Sequence, residues 1–289
     1  MTKLKVAYLG PKNTYTEAAA QLMFPNSELT PLAQIDEVML AVEQDQVHYS
    51  VVPFENVYDG KQTPVLDTFS DLIHEAGIVR ETFIPIFHCF GALKGCKNIT
   101  KVYSKDTAFS QCRTFLRERY PGVKLIPMGS TAAGAVRIKE GGEMDAGVIA
   151  SKEALMENGL EVLADGFCPN NKTRFFALSK YSTKPTGDDK TLVSFHPHIT
   201  DEAGVLHSCL TPLKLFGINM GAILERPDRN PIQRGYHFFI ELTGHQNDFL
   251  VKRALQDVKI YLDRENKFPD AVRVFGSYPN SHWDEPQKT

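Results

Sequence analysis

The chain has 289 residues, 42% of them hydrophobic and 23% charged, with a formal net charge of −3. These values fit a globular protein of two or three compact units and exclude disorder or a coiled coil as its main state. A slightly negative chain with no block of Lys and Arg is a poor binder of nucleic acid, whose phosphates need clustered cations, so a small-molecule ligand is expected.

No apolar run is long enough to span a membrane. The start, Met1 to Gly10, runs directly into a strand-like stretch without the charged, apolar and cleavage regions of a secretory signal, so a cytoplasmic protein is expected. The five cysteines, Cys89, Cys96, Cys112, Cys168 and Cys209, are odd in number and scattered, which fits reduced packing thiols. His196 and His198 lie close together without a third ligand at metal spacing, and no metal is predicted.

In chain order, apolar periodicity predicts a strand at Lys5 to Leu9, helices near Thr14 to Phe24 and Ile35 to Gln44, and a strand at Tyr49 to Phe54. A helix follows at Val65 to Ala76, then one long apolar strand at Thr82 to Leu93. A second α/β unit has strands at Lys101 to Ser104, Leu125 to Pro127 and Ala146 to Ala150, with helices at Ala108 to Tyr120 and Thr131 to Lys139. Two such lobes enclose a cleft, and the strand Thr173 to Leu178 is expected at their junction. The polar stretch 182–189 reads as a linker. After it come a strand (Thr191 to His196), a helix (Gly204 to Phe216), strands at Asn219 to Leu224 and His237 to Thr243, a helix (Phe249 to Leu262) and a strand (Ala271 to Tyr278). This βαββαβ order is ferredoxin-like: two helices cover one face of an antiparallel sheet, leaving the other face or an edge free to pair. The expected division is 1–181 (lobes of about 1–80 plus 170–181, and 81–169), a linker at 182–189, a third unit at 190–279 and a mobile polar tail at 280–289.

Thr173 and Arg174 place a neutral donor beside a rigid guanidinium fork that suits a carboxylate. Asn56 follows a strand, where ligands gather in open α/β sheets. Ser104 and the Ser130-Thr131 pair precede helices, whose free N–H groups attract carboxylates, although Ser130 serves equally as a plain N-cap.

Taken together, Ala7-Tyr8-Leu9-Gly10-Pro11, Val52-Pro53-Phe54-Glu55-Asn56, Val102-Tyr103-Ser104 with Gln111-Cys112, Ser130-Thr131-Ala132-Ala133 and Thr173-Arg174-Phe175 resemble the prephenate dehydratase family with its C-terminal ACT regulatory domain. Gly204-Val205-Leu206 and Leu224-Glu225-Arg226-Pro227 stand where that family has G-A-L and E-S-R-P. The resemblance implies a two-lobed, periplasmic-binding-protein-like catalytic domain and a cofactor-free conversion of prephenate to phenylpyruvate. Thr173 would assist the leaving hydroxyl and Arg174 would clamp a carboxylate. Asn56, Ser104, Gln111, Ser130 and Thr131 would supply neutral hydrogen bonds, and Phe175 would shape the pocket. It also implies L-phenylalanine as an effector at Gly204, Val205, Leu206, Asn219, Leu224, Glu225 and Arg226, in a homodimer or homotetramer. The sequence departs from the family at Asn13 (usually Gly), Val57 (usually Ser), Lys105 (usually His) and at Leu224-Glu225. A prephenate decarboxylase that does not aromatise its substrate, and a non-catalytic small-molecule sensor, are the alternative readings.

Overall fold

The computed structural model describes residues 3–197, 202–227, 236–264 and 268–281. The expected mobile tail lies outside these residues but for its first two, as does His198. The first lobe starts with β1 (Lys5–Leu9), α1 (Tyr15–Met23), β2 (Glu28–Leu32), α2 (Ile35–Glu43) and β3 (Tyr49–Asn56). It continues through β4 (Gly60–Lys61), α3 (Thr63–Asp71) and β5 (Gly77–Pro85). Thr14 caps α1 by accepting from the Glu17 N–H, and Gln34 closes a capping box at α2 with Glu37.

The second lobe contains β6 (Cys89–Ala92), β7 (Lys101–Ser104), α4 (Asp106–Gln111), α5 (Arg113–Arg119), β8 (Lys124–Pro127), α6 (Thr131–Gly141), β9 (Ala146–Ala150), α7 (Lys152–Glu157) and β10 (Glu161–Ala164). The chain then returns to the first lobe as β11 (Lys172–Ser179), which lies between β3 and β5 and antiparallel to both. The two sheets run β2-β1-β3-β11-β5, with β4 on β3, and β10-β6-β9-β7-β8.

Two expectations are corrected here. The single strand predicted at Thr82 to Leu93 is two strands in different sheets, β5 and β6, because Pro85 ends the first and residues 86–88 cross between lobes. The first sheet therefore claims the chain as far as Pro85, beyond the expected lobe boundary near residue 80. The helix predicted at Ala108 to Tyr120 is likewise broken at Cys112 into α4 and α5.

The third unit consists of β12 (Asp189–Phe195), α8 (Val205–Leu215), β13 (Met220–Pro227), β14 (Tyr236–Thr243), α9 (Phe249–Leu262) and β15 (Val272–Pro279). Its all-antiparallel sheet runs β13-β14-β12-β15, the ferredoxin-like order. Side chains alternate across it. Val193, Phe195, Ile240 and Leu242 pack under α8 and α9, whereas Leu192, Phe239, Phe275 and Tyr278 join the core of the first lobe with Phe54, Phe69, Phe176 and Leu178. Of the face and edge expected to be available for pairing, the second face of the sheet is thus buried against the lobe carrying β11.

This contact is tightest where β15 crosses β5. Gly276 has φ of +135°, and a Cβ there would fall on the backbone N and O of Ile78. Gly276→Ala combines a disfavoured backbone conformation with a clash against main chain that cannot rotate away. We expect it to cost about 2–4 kcal/mol, seen as a lower urea midpoint. An unchanged midpoint would mean that β15 can slide freely on β5.

Candidate active site

β11 is covered on both faces, so its alternate residues serve different environments. Phe175 and Ala177 face α1 and the core around Tyr8 and Ala19, while Phe176 and Leu178 face the third unit. Thr173 shares the first face and looks into the cleft between the lobes. That cavity, of about 340 Å³, is lined by Thr173, Phe175, Asn56, Gln111, Ser130 and Thr131, all expected from sequence.

The pairing register sets Thr173 opposite Asn56 on β3. Asn56 Oδ1 accepts from the Tyr58 N–H at 2.9 Å and the Asp59 N–H at 3.2 Å, which fixes which way its amide points. Asn56 Nδ2 is thereby turned toward Thr173 Oγ1 (2.9 Å), Asn171 Oδ1 (2.8 Å) and the Lys172 carbonyl (3.1 Å), sharing its two hydrogens among them. With a lone pair of Thr173 engaged by Asn56, the threonine hydrogen is left to donate into the cleft.

Asn56, Asn171 and Gln111 form a ring of amides across the lobe boundary. Gln111 Nε2 donates to Asn56 Oδ1 (3.3 Å) and to Asp59 Oδ2, and Gln111 Oε1 accepts from Asn171 Nδ2 (2.8 Å). The same Oε1 lies 2.7 Å from His88 Nε2, which must carry the hydrogen, leaving Nδ1 as a buried acceptor without a partner among the described residues. Burial, partly offset by the Gln111 hydrogen bond, holds the His88 pKa below its usual value, so the neutral ring is favoured. Ser110 Oγ shares its one hydrogen between the Thr107 carbonyl at 2.8 Å and Asp59 Oδ1 at 3.1 Å, so neutral donors approach both oxygens of this carboxylate.

The N-terminal ends of several helices open on the cleft. Thr14, Gln34, Lys105, Ser130 and Ser151 occupy the N-cap positions of α1, α2, α4, α6 and α7, and all line it. Ser130 Oγ accepts from the Ala133 N–H at 3.1 Å, so its hydroxyl hydrogen remains available. Asn13, in the first loop, has φ of +63°, a left-handed conformation that Asn tolerates better than most residues.

Two expected contacts are not in the cleft. Arg174 points from the opposite face of β11, where its side chain is only 4% exposed. Its Nε donates to Glu81 Oε2 at 2.6 Å, and its Nη2 donates to Glu241 Oε2 at 2.6 Å and Tyr278 Oη at 3.3 Å. The guanidinium also lies 4.8 Å from the Phe176 ring centre. Burial works against this charge, but the Tyr278, Glu81 and Glu241 groups outweigh it and keep the arginine pKa above its ordinary value. Adjacent residues of a strand point to opposite faces, so Arg174 cannot share the cleft with Thr173. Ser104 is fully buried and donates to the Ile149 carbonyl at 2.7 Å, which commits its hydroxyl to β9.

His88, Asp59, Asn171 and Ser151 belong to the site although sequence reasoning did not select them. Ser151 carried the same signal as Ser130, a serine before a helix, and Asp59 sat inside the segment read for Asn56. Val57 is exposed and outside the lining, whereas Lys105 is part of it. Among the described residues no cluster of three or more His, Cys, Asp and Glu could hold a metal, and no helix is long and apolar enough to cross a membrane.

In the third unit, Gly204 is a left-handed N-cap of α8 with φ +83°, and Val205 is buried beneath that helix. Leu206 is half-buried on the same turn, Asn219 precedes β13, Leu224 packs on the first-lobe core and Glu225 is exposed. Arg226 makes a two-pronged pair with Asp67 of α3, both contacts at 2.7 Å.

The family model described as prephenate dehydratase matches residues 6–183. A bifunctional chorismate mutase/prephenate dehydratase of Aquifex aeolicus is 36% identical over 283 residues, covering 96% of this chain and 74% of the relative. An arogenate dehydratase/prephenate dehydratase of Arabidopsis thaliana is 30% identical over 295 residues, covering 96% of this chain and 72% of the relative. Among solved structures, a prephenate dehydratase of Arthrobacter aurescens in complex with L-Phe superposes with a TM-score of 0.82 at 30% identity, covering 96% of this chain and 90% of that one.

Proposed function

Because this chain belongs to the prephenate dehydratase family, converting prephenate to phenylpyruvate on the route to phenylalanine, we propose that Thr173, polarised by Asn56, is the donor to the departing hydroxyl. The reaction turns prephenate, a dianion, into phenylpyruvate, carbon dioxide and water, with net uptake of one proton. The C–C bond to the ring carboxylate breaks, its electron pair enters the ring, and the ring hydroxyl departs with a proton as water. Aromatisation drives the step, so the protein chiefly needs to hold the dianion and stabilise charge on the departing oxygen.

Thr173 is a weak acid, but with Asn56 donating to its oxygen its own O–H is a stronger and already oriented donor. Ser130 and Thr131 provide neutral hydrogen bonds, Gln111, whose amide is engaged by Asn56, Asp59, Asn171 and His88, holds the cleft's polar groups in place, and Phe175 walls the substrate ring. The ring of Asn56, Asn171 and Gln111 joins the two lobes and holds Asn56 against Thr173. The observation that carries this reading is the cross-strand pair Thr173–Asn56 inside the cleft. Purified protein incubated with prephenate should form phenylpyruvate, followed by its absorbance in alkali. Prephenate loss without phenylpyruvate would instead indicate a decarboxylase, and absence of turnover a sensor.

The division at 1–181, 182–189 and 190–279 marks a catalytic domain, a linker and an ACT regulatory domain in this reading, in a cytoplasmic homodimer or homotetramer. The L-Phe complex of the Arthrobacter relative supports phenylalanine as the effector. The Gly204-Val205-Leu206 turn of one subunit would approach the Asn219 to Arg226 segment of another, and the Arg226–Asp67 pair would carry the response to α3. A Cβ on Gly204 meets nothing within 4 Å in the single chain. Gly204→Ala should therefore fold with a modest backbone penalty of about 1 kcal/mol yet lose the thermal shift given by L-phenylalanine. A retained shift would place the effector elsewhere.

A further inference from the structure

With Arg174 locked on the far face of β11, the cleft must still hold a substrate bearing two carboxylates. Among the described residues lining it, the charged side chains are Lys105 and Asp59, with His88 favoured in its neutral form. Asp59 repels a dianion, and the capping hydroxyls are neutral donors. Lys105 stands at the start of α4, one residue after the buried Ser104, with an exposed side chain at the cleft wall.

We infer that Lys105 is the carboxylate receptor of this enzyme and sets its preference for the keto acid prephenate over the amino acid arogenate. The inference rests on the prephenate reading above. Of the two carboxylates, the one on the ring leaves as carbon dioxide. A cation fixed on it would stabilise charge that must be given up in the transition state and so slow the reaction. Lys105 therefore pairs with the carboxylate of the side chain, which keeps its charge throughout. Arogenate carries an ammonium on the carbon next to that carboxylate, within reach of repulsion from the lysine ammonium, whereas prephenate has a neutral carbonyl there. A compact, hydrated point charge on a flexible stem suits this receptor, which must release its product.

An interaction made equally in ground and transition states changes KM more than kcat. Lys105→Met is expected to raise KM for prephenate about 10- to 100-fold, as for loss of a charge-assisted hydrogen bond, while kcat stays within about threefold. Lys105→Arg should recover most of the lost affinity. The ratio of kcat/KM for prephenate to that for arogenate should fall at least about tenfold in Lys105→Met. Wild-type KM should rise with salt while the Met variant stays flat, because the attraction is screened.

An unchanged KM, a fall in kcat alone, or an unchanged substrate ratio in a folded Lys105→Met protein would overturn the assignment while leaving the dehydratase intact. A wild-type protein that forms no phenylpyruvate from prephenate would overturn both.

Discussion

Thr173→Val is expected to lower kcat for phenylpyruvate formation by about 100- to 1000-fold, the range for removing one preorganised donor from the position where charge develops. Valine keeps the β-branched shape that suits a strand, so β11 should retain its pairing. Asn56 Nδ2 would still find Asn171 Oδ1 and the Lys172 carbonyl, at 2.8 and 3.1 Å, so the substitution leaves no buried donor unpaired. Thermal stability should stay close to wild type, separating a chemical loss from a folding loss. Thr173→Ser, which restores a hydroxyl with more rotational freedom, should recover activity to within about tenfold of wild type. A kcat for the valine variant within about tenfold of wild type would move the donor role to another group.

How Thr173 could be picked out from sequence, and Arg174 misplaced, has one physical cause. A strand with one exposed face announces its period by alternating polar and apolar residues. β11 lies between α1 on one side and the third unit on the other, so Phe175, Phe176, Ala177 and Leu178 form an unbroken apolar run. The alternation that would have separated Thr173 from Arg174 is erased by burial on both faces. The identity of the second cover was equally hidden, because Glu241 and Tyr278 come from strands 67 and 104 residues away.

Local signals fared better where the chemistry is local. The N-cap at Ser130, the βαββαβ order and α9 at Phe249–Leu262 all follow from short-range pattern. β2 was missed because an edge strand containing Pro31, with no buried residue, has little apolar signature. Ser104 shows the converse case: a serine before a helix reads as a cap or a ligand donor, but its hydroxyl turns to β9.

Arg174→Ala should destabilise the protein by about 3–5 kcal/mol, since it leaves Glu81 and Glu241 buried without their shared cation. Lys190, 3.1 Å from Glu81 and 4.0 Å from Glu241, offers partial relief to the former and little to the latter. Removing the orphaned charge as well, in Arg174→Met with Glu241→Gln, should recover part of the loss, so that the two changes are strongly non-additive. Burial raises the Glu241 pKa, but Arg174, with help from Lys190 and Tyr278, outweighs it and holds the group below its ordinary value in the folded state. Its stabilisation is therefore present above the ordinary carboxylate range and lost as pH falls through the folded value, a slope that Arg174→Met should flatten. The backbone of residue 174 stays in the β11 ladder whatever its side chain, so Thr173 should keep its place opposite Asn56. Well below the unfolding temperature, Arg174→Met should then retain kcat and KM for prephenate within about tenfold, despite its lower unfolding midpoint. A substrate clamp would behave in the opposite way, with KM rising about 100-fold or more in a protein of normal stability. The joint measurement of unfolding midpoint and KM thus decides whether this guanidinium serves the ligand or fastens the third unit to the strand that carries the donor.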